Sequence, residues 1–209
     1  MTSMWKRNWR SPAFPKQVTF GGLENIPSSA GIPQTRRRSV CFLETRRSNL
    51  VCTDAPYFVK LESQSGRIAN DDLEDAQAYE FLMKAFTNFK DAMAIDASIY
   101  EFYATMKARV FYDAFEDAGF KVGAGLIWKK PRAPLMRTDW KFNMEPIIFG
   151  WRKDGKHKWY GDQKQKAVFE FDGIKNSKED GHGHPSSKPV PLIAYLIQQS
   201  TQVNGIVLD

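Results

Sequence analysis

Four residues that could do chemistry, Asp54-Ala55-Pro56-Tyr57, directly follow the apolar run Leu50-Val51-Cys52, which is typical of a buried strand. They bring together a carboxylate, backbone carbonyls, a stiff turn and a flat ring. Methylation of the exocyclic amine of a nucleobase needs these groups. The Asp54 carboxylate and the Ala55 carbonyl can accept the amine hydrogens and free the nitrogen lone pair, while Tyr57 stacks on a base that has left the duplex. The methyl donor would be a sulfonium, so no metal is expected. An ordinary strand-to-loop turn is the alternative.

The elements that must position these residues alternate along the chain. They are a strand at 50–52, a helix from Asn70, a strand at 98–103, a helix ended by Gly119 and a strand at 121–128. The first helix has an apolar face made of Leu73, Leu82, Phe86, Phe89 and Met93. This alternation predicts an α/β fold with a parallel sheet. Ligands of such sheets bind beyond the carboxyl ends of the strands, which is where Asp54–Tyr57 would lie.

The pattern changes at Lys129, where prolines, basic residues and large aromatic side chains begin to mix. We expect residues 129–180 to form an insertion that contains two strands, EPIIFGW and AVFEFD. The helix VPLIAYLIQQS and the strand GIVLD then return to the sheet. The chain therefore divides into a basic arm at 1–48, a catalytic α/β part at 49–128, the insertion at 129–180 and a final α/β segment at 181–209.

Positive charge is concentrated in two parts of the chain. The formal net charge is +6, and residues 1–50 hold nine Lys or Arg but two acidic residues. Residues 129–180 hold 13 Lys or Arg and eight acidic residues. Such segments favour a polyanionic partner such as nucleic acid, with a solvated surface as the alternative. The arm at 1–48 has no helical or strand period, and we predict that it is poorly ordered.

Several other classes find no support in the sequence. There is no apolar run long enough to span a membrane, and the first residues lack the apolar core of a secretory signal. Cys41 and Cys52 are too few for a disulfide scaffold and fit a reducing compartment. The three histidines show no metal-ligand spacing, so we predict no metal site.

The stretch Thr53-Asp54-Ala55-Pro56-Tyr57 resembles the T-D-P-P-Y motif of amino-group DNA methyltransferases. Further segments follow in the order expected of the class whose catalytic motif precedes the cofactor motif. They are FEDAGFKVGAGLIWKK, RTDWKFNMEPIIFGW, AVFEFD, HPSSKPVPLIAYLI and GIVLD, and the likeness covers roughly residues 49–209. The resemblance implies a Rossmann-like methyltransferase sheet, S-adenosylmethionine as methyl donor and N6 of adenine in DNA as acceptor. Aspartate at position 54 favours adenine, whereas serine would favour N4 of cytosine.

The resemblance also implies roles for individual residues. The catalytic set is Asp54, Ala55, Pro56 and Tyr57. The cofactor pocket would contain Asp54, His184, Pro185, Ser186, Lys188 and Asp209. Residues 129–180 would be an inserted target-recognition region, in which the candidate DNA contacts are Lys129, Lys130, Arg132, Arg137 and Trp140. For any single one of these basic residues, surface solubility is the alternative.

Three departures from the family pattern bear on activity. Ala55 replaces the first proline of the motif, which keeps the carbonyl but loses stiffness, so we expect weakened rather than abolished chemistry. The segment HPSSKP stands for the usual H-P-T-x-K-P, with Ser186 retaining the hydroxyl. The sequence reaches Asp209 where the family continues into the Gly-rich cofactor loop D-x-F-x-G-S-G. We therefore expect a C-terminally incomplete sheet, which a separate downstream fragment or a homodimer could complete.

Two hypotheses follow from the sequence. The first is a cytoplasmic, bacterial or phage-type adenine-specific DNA methyltransferase of the restriction-modification kind. The second is a catalytically inactive fragment that keeps only DNA binding, through residues 129–180 and the basic arm.

Overall fold

The structure, a computed structural model, describes residues 47–59, 62–63, 66–67, 74–133, 139–172 and 188–209. Its elements are β1 (Ser48–Asp54), β2 (Glu62–Ser63), β3 (Gly66–Arg67), α1 (Asp75–Ala92), β4 (Met93–Phe102), α2 (Ala108–Asp117), β5 (Phe120–Lys129), β6 (Met144–Arg152), β7 (Val168–Glu170), α3 (Val190–Ser200) and β8 (Val207–Leu208). Of the predicted arm at 1–48, residues 1–46 lie outside the described residues. Ser48, the final residue of that arm, already belongs to β1.

Six strands form one sheet in the order β7-β5-β6-β4-β1-β8. β4 and β8 run parallel to β1, and β7 runs parallel to β5. β6 lies between β4 and β5 and is antiparallel to both, so the other five strands share one direction. The predicted α/β sheet is confirmed, and it brings the carboxyl ends of β1, β4 and β5 to one edge.

β6 is the main departure from the expected sheet. It contains EPIIFGW, which the sequence placed in an insertion outside the alternating elements. In the structure Ile147 of β6 pairs with Phe102 of β4 and with Leu126 of β5. The other strand of the predicted insertion, AVFEFD, contributes β7, which pairs with β5, so both strands belong to the sheet. The strand is buried from Pro146 to Gly150. A continuous apolar run is typical of a strand covered on both faces, but the run itself does not reveal its partners.

Apolar side chains cover both faces of the sheet. One face packs against α1 and α2 through a core that includes Val51, Leu82, Phe86, Ile99, Phe111, Phe115 and Ile148. The other face packs against α3 through Leu50, Cys52, Tyr100, Phe102, Ile147, Phe149, Leu192 and Leu196. Adjacent residues of one strand thus enter opposite cores, as the pleat requires.

The first two predicted helices are confirmed with shifted boundaries. α1 begins after Glu74, whose N–H donates to Gln77 Oε1 at 3.4 Å. Met93, predicted for the helix face, is instead the first residue of β4. Gly119 follows α2 with a φ of 95°, a left-handed conformation that favours glycine. Within the described ranges, no helix combines the length and apolarity needed to cross a membrane.

Candidate active site

The tetrapeptide Asp54–Tyr57 lies at the carboxyl end of β1, as the sequence predicts. Asp54 is the last residue of the strand and pairs with Phe102 of β4. Beyond Tyr57, Phe58 adopts a left-handed φ of 55°, which costs a residue with a side chain about 1–2 kcal/mol. The Phe58 ring is buried, with its centre 5.9 Å from the ring centres of Phe81 and Phe111. Burial against α1 and α2 therefore anchors the far end of the tetrapeptide.

Lys188 joins this tip although it lies 134 residues further along the chain. Its ammonium donates to Asp54 Oδ2 at 2.7 Å and lies 5.3 Å from the centre of the Tyr57 ring. The Lys188 side chain is 10% exposed, whereas that of Asp54 is 38% exposed. Asp54 is thus held by an ammonium on one side and remains accessible on another. Of the other residues predicted for the cofactor pocket, His184, Pro185 and Ser186 lie outside the described residues.

Glu145, at the start of β6, connects Tyr57 to two lysines. The Tyr57 hydroxyl donates to Glu145 Oε2 at 3.2 Å, and Lys188 Nζ lies 3.6 Å from the same oxygen. Lys130 Nζ lies 2.5 Å from Oε1. Burial, followed by the Glu145 charge, raises the pKa of Tyr57 far above its ordinary value, so the hydroxyl stays a donor. Glu145 was not predicted from the sequence. Its signal was an acid placed directly before a buried apolar run.

Glu101, the next-to-last residue of β4, is a second residue of this cluster that the sequence did not predict. It is fully buried, and its Oε1 accepts a hydrogen bond from the backbone N–H of Ala55 at 3.0 Å. In the part of the chain that is described, its Oε2 has no hydrogen-bond partner. Burial raises the pKa of Glu101 well above its ordinary value. The only signal in the sequence was a glutamate inside the apolar strand pattern SIYEFY.

Asp209 follows β8, the strand that pairs with β1. Burial, followed by the Asp54 charge, raises the pKa of Asp209 above its ordinary value, against the opposing effects of a hydrogen bond with the Thr53 side chain and of the Lys188 charge. Two carboxyl groups that repel each other favour a positively charged ligand. Across the ranges that the structure describes, no group of His, Cys, Asp and Glu residues could hold a metal ion.

The residues predicted to contact DNA fall into two groups. Lys130 belongs to the cluster around Tyr57 through its ion pair with Glu145. Lys129 lies at the surface, 2.5 Å from Glu170 Oε1, and Arg132 and Trp140 are also exposed, Trp140 by 84%. Arg137 lies outside the described residues. The geometry therefore assigns Lys130 to the site rather than to an open basic surface.

The chain matches known proteins over most of its length. Residues 48–209 match the family model of N6/N4 DNA methylases. Over 164 residues the chain is 27% identical to a protein of Escherichia coli (strain K12) named "Putative methylase YubD", and the match covers 77% of this chain and 65% of that relative. The chain therefore spans just under two thirds of the length of this relative.

Two solved structures share the fold at low sequence identity. The M1.HpyAVI-SAM complex has a TM-score of 0.54 and 17% identity, over 78% of this chain and 71% of that one. The PvuII DNA methyltransferase, described as cytosine-N4-specific, has a TM-score of 0.60 and 15% identity, over 79% of this chain and 68% of that one. At such identities the likeness establishes the fold of the sheet and its helices.

Proposed function

This chain belongs to the N6/N4 DNA methylase family, and from that premise we propose that it transfers a methyl group from S-adenosylmethionine to N6 of adenine in DNA. The observation that carries the proposal is the tip of β1, where the Asp54 carboxylate adjoins the Ala55 carbonyl and the Tyr57 ring. The family name covers both adenine N6 and cytosine N4 as acceptors. The aspartate at position 54 is the reason for proposing adenine.

Asp54 and Ala55 prepare the amine for attack. An exocyclic amine shares its lone pair with the ring and is a poor nucleophile until acceptors on its hydrogens localise that pair. An ionised carboxylate has two oxygens, so Asp54 can accept from the amine while Lys188 occupies Oδ2. The exposed part of the Asp54 side chain gives a base access to it. The Ala55 carbonyl supplies the second acceptor.

Tyr57 provides the surface on which the flipped base stacks. Stacking of a base on an aromatic ring contributes about 1–3 kcal/mol. The hydrogen bond from the Tyr57 hydroxyl to Glu145 fixes one end of the ring before the base arrives. A ring held in its bound orientation loses less conformational entropy on binding. Glu145 therefore acts on the base through Tyr57.

The carboxyl groups of Asp54 and Asp209 fit the proposed cofactor. When bound, S-adenosylmethionine supplies an electrophilic methyl group on a positively charged sulfur. Burial, followed by the Asp54 charge, raises the pKa of Asp209 even though the Lys188 charge opposes this, and a further cation near both carboxyl groups would relieve the repulsion. A related fold, M1.HpyAVI, has been solved as a complex with SAM, which supports this choice. We propose that Asp54, Asp209 and Lys188 hold the cofactor together with His184, Pro185 and Ser186.

Target recognition is assigned to the segments of 129–180 that flank β6. Lys129 is the exposed last residue of β5, and Arg132 and Trp140 are exposed beyond it, at the edge of the sheet where Asp54 lies. Basic side chains at that edge can contact phosphates, and an exposed indole can stack on a base. Their position at the same edge of the sheet as the tip of β1 supports DNA as the partner.

Transfer of a labelled methyl group from S-adenosylmethionine to unmethylated DNA tests the proposal. The Asp54→Asn variant should lose at least about 100-fold in kcat, because it removes the charged acceptor from the amine. Asp154→Asn is the matched control. Asp154 also pairs with a cation, Arg152 Nη2 at 2.7 Å, but at the opposite edge of the sheet. Wild-type transfer by Asp54→Asn would contradict the assignment of the site.

A further inference from the structure

Glu101 is an acidic side chain in apolar surroundings. It lies between Ile99 of β4 and Tyr103, the residue after β4, and both of these belong to the core packed against α1 and α2. A buried polar group costs free energy unless it is hydrogen-bonded. Of its two oxygens, Oε1 accepts from the Ala55 N–H, while Oε2 is without a partner in the described ranges. The contact to Ala55 is thus the one hydrogen bond that the described residues give this carboxyl group.

Ala55 occupies the position at which the T-D-P-P-Y motif has a proline. Proline has no backbone N–H and could not donate to Glu101. Proline would instead fix its own φ and restrict the preceding residue to extended geometry. The peptide group between Asp54 and Ala55 turns about those same two bonds, ψ of Asp54 and φ of Ala55. A hydrogen bond that holds this peptide group therefore restrains the angles that a proline would restrain.

We propose that Glu101 is a positioning residue for methyl transfer, which holds the Asp54–Ala55 peptide group so that both acceptors stay aimed at the substrate amine. What those acceptors do rests on the function proposed above. Pro56 completes the restraint, because it biases ψ of Ala55 toward extended geometry. Glu101 acts through Ala55 alone and touches neither the base nor the cofactor. In this chain a buried acceptor takes over the task of the missing proline.

The protonation state of Glu101 fits this task. Burial raises its pKa well above the ordinary value, with further raising by Asp54 and Asp209 and opposition from Lys188 and the Ala55 N–H. This direction favours the neutral carboxyl group. Glutamine has the same shape, carries no charge and offers an amide oxygen to the same N–H. Leucine has a similar volume and offers no acceptor. The two substitutions therefore separate the hydrogen bond from the packing.

The test compares the 209-residue chain with the variants Glu101→Gln, Glu101→Leu and Glu101→Leu/Ala55→Pro. Glu116→Gln, at an exposed position near the opposite edge of the sheet, is the control. We expect Glu101→Leu to lower kcat about 10- to 100-fold, because the Asp54 carboxylate and the Ala55 carbonyl are no longer held in the orientation that the substrate amine requires. KM for S-adenosylmethionine should change little. Glu101→Gln should keep most of the activity. In the double variant, Ala55→Pro should restore much of the kcat that Glu101→Leu loses, so the effects of Glu101→Leu and Ala55→Pro should be non-additive.

Hydrogen exchange of the Ala55 amide provides a second readout that does not depend on activity. The amide should exchange slowly in the wild type and in Glu101→Gln, and faster in Glu101→Leu. Equal exchange in all three proteins would overturn the proposal, and so would wild-type kcat in Glu101→Leu or a proline that restores nothing. If the wild type transfers no methyl group at all, the proposed function fails, while the amide measurement still decides whether Glu101 holds Ala55.

Discussion

The Lys188 ammonium lies 2.7 Å from Asp54 Oδ2 and 3.6 Å from Glu145 Oε2. One cation thus holds two carboxylates that come from β1 and β6, two strands separated by β4 in the sheet. It also lies over the rings of Tyr57 and Phe102, at 5.3 Å and 5.2 Å from their centres. Lys188 therefore connects the tip at Asp54–Tyr57 to β6, the strand that contains EPIIFGW.

Replacement of Lys188 by methionine should destabilise the protein by about 1–3 kcal/mol, because Asp54 loses its hydrogen-bond donor and Asp54 and Glu145 lose the cation that they share. Lys129→Met is the matched control, since the Lys129–Glu170 pair is 48% and 61% exposed. An exposed pair of this kind contributes at most about 1 kcal/mol. Urea unfolding measures both variants. Equal losses of stability would contradict the connecting role of Lys188.

Variants of Tyr57 should separate base stacking from the hydrogen bond to Glu145. Tyr57→Ala removes the ring and should lower methyl transfer, while retention of the chain on DNA stays intact and sensitive to salt. Tyr57→Phe keeps the ring and loses only the 3.2 Å hydrogen bond, so it should retain more activity than Tyr57→Ala. Steady-state kinetics and a DNA-retention assay check this. Normal methylation by Tyr57→Ala would show that the site lies elsewhere.

Glu101 should give the stability of the protein a dependence on pH that Glu101→Gln lacks. The folded-state pKa of Glu101 is raised above its ordinary value of 4.5, so the unfolded chain loses this proton first as the pH rises. Between the two pKa values the folded protein binds more protons than the unfolded chain, and the free energy of unfolding falls with increasing pH. In urea unfolding from about pH 4 to pH 8, the stability of Glu101→Gln relative to the wild type should increase toward higher pH.

That comparison cancels the contributions of groups that both proteins share. A difference in stability between wild type and Glu101→Gln that stays constant over this pH range would contradict the raised pKa. A difference that grows toward low pH would reverse the expected sign.

Arg132 should contribute to DNA affinity through a phosphate contact. Arg132→Gln is expected to reduce the slope of log K against log salt concentration by about one. Lys158→Gln serves as the control, because Lys158 pairs with Asp96 at 2.5 Å near the opposite edge of the sheet. Fluorescence titrations at several salt concentrations measure the slopes. An unchanged slope in Arg132→Gln would remove this residue from the DNA-contacting surface.

The sequence predicted the parts of the site that depend on local pattern. The apolar run before Asp54 indicated the end of a buried strand, and the motif around Asp54 suggested the chemistry. The resemblance of HPSSKP to H-P-T-x-K-P assigned Lys188 to the cofactor pocket, but its ion pair with Asp54 was not predicted. Three features escaped because they depend on distant partners. The apolar run of β6 is typical of any buried strand. Its position between β4 and β5 depends on long-range pairing, which the run itself does not show.

Glu145 and Glu101 escaped for a related reason. Each is a single acid in or beside an apolar segment, and its role exists only once another strand brings Tyr57 or Ala55 to it. Met93 was assigned to the wrong element because α1 passes directly into β4 without a turn residue between them. An apolar residue at that junction fits the pattern of both elements.

The identity of the methylated nucleoside tests the central claim most directly. DNA incubated with the chain and S-adenosylmethionine is digested to nucleosides and analysed by mass spectrometry, with Asp54→Asn and Asp154→Asn treated in parallel. We expect N6-methyladenine from the wild type and from Asp154→Asn, and none above background from Asp54→Asn. N4-methylcytosine as the product, or DNA that is bound but carries no methyl group, would contradict it.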